Sequence, residues 1–166
     1  MWDEAVVVAL GSNLAGGFAS SKALLAAALE AFEPAGLRVL KRSSWWRSRS
    51  WPNPTLPDYL NGVAIVETAM APEETLKTLH DLEARFGRRR TEANAPRTLD
   101  LDLIAHGRSI IAKGGLVLPH PQAAERRFVM GPLAEIAPDW IHPVLGETAQ
   151  DLAAKASVGA DASSAE

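Results

Sequence analysis

The sequence predicts an α+β fold: a ferredoxin-like β-α-β-β-α-β core with an antiparallel sheet, followed by a C-terminal hairpin and helix. Three observations lead there. Short apolar runs recur at Ala5–Gly11, Leu37–Trp46, Tyr59–Thr68 and Leu99–Ile104. Two stretches, after the first and third runs, instead carry apolar residues at helical spacing. Read in order, the two patterns give strand, helix, strand, strand, helix, strand.

The first run, "AVVVALG", is β-branched and stopped by glycine, as a buried strand is. A turn-rich loop follows, and Ser20 or Ser21 can cap the next helix. Leu24, Leu25, Ala28, Leu29 and Phe32 fall on one helical face, and "EPAG" ends that helix. Leu37 to Trp46 reads as a second strand. The prolines of "RSRSWPNPTLPD" exclude a regular element, and loops this long in compact domains are often functional. Tyr59 to Thr68 reads as a third strand. "APEETLKTLHDLEARFG" is a helix, with Pro72 in its first turn, Glu73 and Glu74 favourable to the dipole there, and Gly87 as its stop. "HGRSIIAKGGLVLP" adds a hairpin and Pro121 to Ile136 a further helical segment. Residues 1–150 are expected to form one domain. The small, polar residues 151–166 are expected to fray.

Composition narrows the functional classes. The 166 residues are 47% hydrophobic, ample for a core, and carry a net charge of -3, which argues against a general nucleic-acid coat. There is no cysteine, hence no disulfide, thiolate metal site or cysteine nucleophile. Acidic residues stand where a signal peptide needs basic ones, and no apolar run is long enough to span a bilayer. The expectation is a cytoplasmic protein with small-molecule partners, no membrane and no nucleic acid.

The chemistry concentrates in "APRTLDLDLIAHG". On a strand, Leu99, Leu101 and Leu103 share the core face, and Asp100 and Asp102 point together to the other, their Cα atoms about 6.5–7 Å apart. An oxygen-only pair suits Mg²⁺, which takes one or two carboxylates plus substrate phosphates. On spacing alone, a solvated face of an edge strand explains the pair more simply. The neighbours change that balance. Arg88, Arg89, Arg90 and Arg97 lie within one loop of the strand, and guanidinium forks bind phosphate bidentately. Carboxylates for a metal beside arginines for phosphate are the two halves of a nucleoside-triphosphate site.

Other residues admit two accounts each. Leu79, Glu83 and Phe86 follow i, i+4, i+7, so Glu83 lies on or beside an apolar stripe, either reaching solvent or orienting an arginine. Tyr59 and Asn61 share a strand face; a ring and a carboxamide suit a flat heterocycle, and they equally suit an ordinary cross-strand pair. His120, between two prolines, is held rigidly, whereas His80, His106 and His142 get only a structural account. "GSNLAGG" lacks the features of a P-loop or a dinucleotide fingerprint. The tryptophans of "SSWWRSRSW" are expected in core packing or loop anchoring.

Taken together, "LGSNL", "PDYLNG", "GRRR…APRTLDLDL", "LPHP…RRFV" and "PLAEIAP" resemble the 6-hydroxymethyl-7,8-dihydropterin pyrophosphokinase family of folate biosynthesis, from about Val7 to Pro138. The resemblance implies transfer of pyrophosphate from ATP to the pterin hydroxymethyl group, with release of AMP, by a monomer using two Mg²⁺ ions. It implies Asp100 and Asp102 as metal ligands and, with Arg88 and Arg97, as the catalytic set. Glu83, Arg88, Arg90, Arg97, Leu103, His120 and Arg126 are implied for ATP. Tyr59 and Phe128 are implied as the pterin sandwich, with Asn61 as its amide and Ser48 and Trp51 in the adjoining loop. The chain departs from many members in two places: Ala93 and Asn94, in a shorter loop, stand where a tryptophan usually precedes the Pro-Arg, and "SRSWP", Ser48 to Pro52, stands where many read Thr-Pro-Pro-x-Gly before Tyr59. Two rivals share parts of this pattern, a different Mg²⁺-dependent phosphoryl or nucleotidyl transferase and a non-catalytic ferredoxin-like module binding RNA or a regulatory ligand.

Overall fold

The computed structural model describes residues 2–13, 17–49, 58–87 and 98–165. In chain order the elements are β1 (Val6–Ser12), α1 (Ser21–Glu30), β2 (Arg38–Arg42), β3 (Trp46–Ser48), β4 (Tyr59–Glu67), α2 (Pro72–Arg85) and β5 (Asp100–His106). They continue with β6 (Ile111–Lys113), β7 (Leu116–Leu118), α3 (Arg127–Ile136), α4 (Ala149–Lys155) and β8 (Ser163–Ser164). The architecture is α+β, with an antiparallel sheet in the order β5-β1-β4-β3-β8; β2 also pairs with β4. A separate antiparallel pair, β6 with β7, follows β5.

Both faces of the sheet are covered. On one, Leu24, Leu25, Ala28 and Phe32 from the first helical segment and Leu79 and Leu82 from α2 pack on Val6, Val8, Leu10, Ala64, Val66, Leu101 and Leu103. On the other, Val129, Met130, Leu133 and Ile136 of α3 pack on Val7, Ala9, Val63, Ile65 and Ile104. A strand buried on both faces reads as a continuous apolar run, which is why "VVVAL" and "VAIV" show no alternation. Ser20 caps α1, its Oγ accepting from Ala23 N–H at 3.1 Å.

Three sequence expectations change. The run Leu37–Trp46 is not one strand but β2 and β3, separated at Ser43. Ser43 donates its N–H to Val63 O, and its Oγ accepts from Val63 N–H at 2.9 Å. The side chain has taken over a ladder bond, and the strand breaks there. The segment from Pro121 to Ile136 is a 3-10 turn, Ala123–Glu125, then α3; the break falls at Arg126, which is extended and bridges to Val158. Finally, the described C-terminal residues, up to Ala165, include regular elements where fraying was expected: α4, whose N-cap Thr148 accepts from Asp151 N–H, and β8, which pairs with β3.

Gly62 shows why a central strand tolerates glycine. A Cβ there would stand 2.5 Å from the ring of Trp45, which is only 3% exposed. The missing side chain admits the indole into the core. Gly62→Ala is therefore expected to destabilise the fold by roughly 1–3 kcal/mol through overpacking. Urea unfolding measures the cost, and an unchanged midpoint would contradict this packing.

Candidate active site

The strand register assembles the site. Asp100 of β5 lies opposite Gly11 of β1, and Gly11 lies opposite Asn61 of β4. Asp102 lies opposite Ala9, and Ala9 opposite Val63. Asp100, Asp102, Asn61 and Tyr59 thus occupy one face of three adjacent strands, the face that α3 covers further along. The apolar cluster under α3 takes in Ala9 and Val63, and the polar residues begin one step beyond, at Gly11 and Asn61. Two interstrand spacings put Asp100 and Asn61 about 9–10 Å apart at their Cα atoms. Small residues occupy the central strand between them. A Cβ on Gly11 would come within 3.1 Å of Asn61 Oδ1.

Asn61 is buried, and its Nδ2 donates to the buried Ser48 Oγ at 3.0 Å. Trp46 stands opposite Asn61 in the register and Ser48 opposite Tyr59, so β3 extends the same face. Trp46 Nε1 donates to Glu135, which also accepts from the Ser44 N–H and Oγ. Burial alone would raise the Glu135 carboxyl; these hydrogen bonds outweigh it and hold the pKa below its ordinary value.

Glu83 is 2% exposed, and its Oε2 accepts from Leu101 N–H at 2.8 Å. That N–H lies between the two aspartates, on an edge strand whose other side pairs with β1. A carboxylate from α2 therefore fixes the backbone of the Asp-x-Asp segment. The alternative in which Glu83 reaches solvent does not hold. Leu103 sends its side chain into the core beneath α1 and α2, so the side chain does not face the site.

His120 joins this group from the loop after β7. Its N–H donates to Ile104 O at 2.8 Å, at the point where the β1–β5 register shifts. Its Nδ1 accepts from Gln122 N–H at 3.2 Å, which leaves the proton of the neutral ring on Nε2. Burial lowers the His120 pKa, the Arg126 guanidinium lowers it further, and Asp100 opposes them. The same influences place Arg126 and Asp100 within electrostatic reach of the imidazole. Arg126 also donates to Gln122 Oε1 at 2.5 Å and lies 5.7 Å over the Phe128 ring. Gln122 was not among the residues the sequence singled out, although its i, i+4 spacing to Arg126 was visible. Trp51, Arg88, Arg90 and Arg97 lie outside the described residues.

Among the described residues no three His, Asp or Glu side chains gather into a metal shell. Asp100 and Asp102, both half-buried, offer oxygen donors alone and only part of a coordination sphere. That donor set fits Mg²⁺ completed by phosphate oxygens and water rather than a metal held by protein alone.

In comparison with known proteins, the profile of the family described as 7,8-dihydro-6-hydroxymethylpterin-pyrophosphokinase (HPPK) matches residues 7–138. A Synechocystis protein named 2-amino-4-hydroxy-6-hydroxymethyldihydropteridine pyrophosphokinase is 49% identical over 114 residues, which is 69% of this chain and 58% of that relative. The chain thus spans less than two thirds of that relative's length. A Methylorubrum extorquens protein of the same name is 37% identical over 148 residues, 88% of this chain and 89% of the relative. The backbone is similar to that of Plasmodium falciparum HPPK-DHPS crystallised with pteroate, with a TM-score of 0.73 at 12% identity, over 91% of this chain and 44% of that one.

The environment of His120 is testable without substrate. In an NMR titration its midpoint should fall below the ordinary 6.5, and Arg126→Gln should raise it. With a lowered folded-state pKa, the neutral ring contributes stability above the unfolded value that is lost as pH falls through the folded one. A midpoint at or above 6.5 would contradict this environment.

Proposed function

Because the chain belongs to the 7,8-dihydro-6-hydroxymethylpterin-pyrophosphokinase family, we propose that it transfers the terminal diphosphate of ATP to the hydroxymethyl group of 6-hydroxymethyl-7,8-dihydropterin, releasing AMP. The observation that carries this reading is the row Asp100–Gly11–Asn61 across three strands. Along that row a carboxylate and a carboxamide stand about 9–10 Å apart at their Cα atoms, with Gly11 on the strand between them, which supports reading one as the phosphate side and the other as the heterocycle side.

In this reading Asn61 Oδ1 meets the pterin edge while its Nδ2 stays on Ser48, which fixes the amide's orientation. Tyr59 and Phe128 stack on the ring. Asp100 and Asp102 would hold two Mg²⁺ ions, which would neutralise phosphate charge and lower the pKa of the attacking hydroxyl. The pterin oxygen forms a bond to the β-phosphorus as the bond from that phosphorus to the bridging α-β oxygen breaks. AMP leaves with the bridging oxygen, and the hydroxyl proton passes to water. No described side chain is needed as a general base, because phosphoryl transfer depends chiefly on positioning and charge neutralisation. His120, kept neutral by burial and Arg126, presents Nε2–H as a phosphate donor. Arg126 adds positive charge at the nucleotide, and Glu83 keeps the aspartate strand in place. The family resemblance assigns Arg88, Arg90 and Arg97 to the triphosphate and Trp51 to the pterin, and these four lie outside the described residues.

The sheet order is read as the ferredoxin-like arrangement with its C-terminal additions, and the protein as a cytoplasmic monomer. No helix among the described residues is long and apolar enough to cross a membrane.

Incubation with ATP, Mg²⁺ and the hydroxymethyl pterin should release AMP; ADP or free pyrophosphate would point to one of the rival transferases. Asp100→Ala and Asp102→Ala should each lower turnover roughly a hundredfold or more while changing pterin affinity little. Near-normal turnover in both would remove the metal assignment. Asn61→Leu should weaken pterin binding roughly tenfold or more, because a site built to hydrogen-bond a ring discriminates strongly. Calorimetry is the check, with nucleotide binding nearly unchanged.

A further inference from the structure

The last described residues, 156–165, leave α4 and cross back over the start of α3. Val158 N–H donates to Glu125 O at 2.9 Å, and Val158 O accepts from Arg127 N–H at 2.8 Å. This parallel bridge lies at the break before α3, beside Arg126. Gly159 follows with φ +69°, and its backbone lies against the Phe128 ring: a Cβ there would stand 2.6 Å from Phe128 Cδ1. Arg127 Nε then donates to Ala162 O at 3.0 Å, and Ala162 is buried. Asp161 Oδ2 accepts from the N–H of Arg49 at 2.8 Å. Arg49 is the residue directly after Ser48, whose Oγ holds Asn61. The segment ends along β3, with Ser163 and Ser164 paired to Arg47 and Trp46 and Ala165 N–H donating to Trp45 O.

The Gly159 and Asp161 contacts fall on Phe128 and Arg49, beside the proposed pterin pocket; the Val158 bridge flanks Arg126, and none of these contacts falls on the aspartate strand. Gly159 backs the stacking ring, and its conformation and close approach both exclude a side chain. Asp161 fixes the backbone where β3 gives way to the loop. Within "SVGADASSA", Ala162 is buried, Ser163 and Ser164 pair with the sheet edge, and Asp161 accepts from an exposed N–H.

We infer that the C-terminal segment is a positioning strap for the pterin pocket, in which Gly159 sets the Phe128 ring and Asp161 sets the backbone beside Ser48. The inference rests on the function proposed above. A stacking platform that is fixed before binding costs less ordering when the ligand arrives, so the strap raises pterin affinity without touching the nucleotide.

Steady-state kinetics of the full chain test it, with KM for pterin and for ATP measured separately. Asp161→Ala and Gly159→Val should each raise the pterin KM, by roughly threefold to tenfold for Asp161→Ala. The ATP KM and kcat should stay near wild type. Asp161→Asn keeps an acceptor oxygen and should restore the pterin KM. Asp161→Ala guards against a Gly159→Val chain that fails to fold. If wild type releases AMP but Asp161→Ala leaves the pterin KM unchanged, the strap is wrong and the family reading stands. If the pterin and ATP constants rise together and Asp161→Asn does not rescue, the tail is only a stabilising element and the inference is overturned. If wild type releases no AMP, the proposed function fails and the strap fails with it.

Discussion

The register of β5, β1 and β4 is the constraint on which the rest depends. Side chains alternate across a strand, so a shift of one residue would send Asp100 and Asp102 into the core beneath α1 and α2 and bring Leu101 and Leu103 to the site. The apolar partners on both faces forbid that slip. Leu101 and Leu103 pack with Leu10 and Val8 on one face, and Ile104 packs with Val7 and Ile65 on the other. The same packing that stabilises the sheet thereby fixes two carboxylates and a carboxamide on one surface.

Glu83 completes that control at the sheet edge. Edge strands present unpaired N–H groups, which proteins must cover or blunt. Here a buried carboxylate from α2 takes the Leu101 N–H, between the two aspartates. A charge-assisted bond at that point holds the segment more firmly than a neutral acceptor would. The backbone N–H of His120 adds a second bond to the same strand, at Ile104 O. The aspartate strand thus rests on backbone bonds from α2 and from the loop after β7, and its two aspartate side chains need not support the strand themselves.

Much of this was legible in the sequence, and the exceptions have physical causes. Alternation in "LDLDL" and in "YLNG" placed Asp100, Asp102, Tyr59 and Asn61 on their faces, because a two-residue period leaves little choice once one face is apolar. Helix ends marked by Ser20, Pro72 and Gly87 were equally readable. The break at Ser43 was not, since it depends on a hydroxyl meeting Val63 N–H from a strand twenty residues away. Glu83 was ambiguous for the same reason: its partner, Leu101 N–H, is brought near only by folding. The ordering of residues 156–165 was hidden because small polar residues look like a frayed end. Their partners, the Phe128 ring, the Arg49 N–H and the edge of β3, are all long-range.

A crystal structure of the protein with Mg²⁺, a non-hydrolysable ATP analogue and the hydroxymethyl pterin tests the central claim most directly. The account predicts the pterin edge hydrogen-bonded to Asn61, the phosphates on the Asp100 and Asp102 side, and both ligands on the sheet face that α3 covers further along. A ligand bound on the α1 and α2 face, or a pterin held away from Asn61, would contradict it.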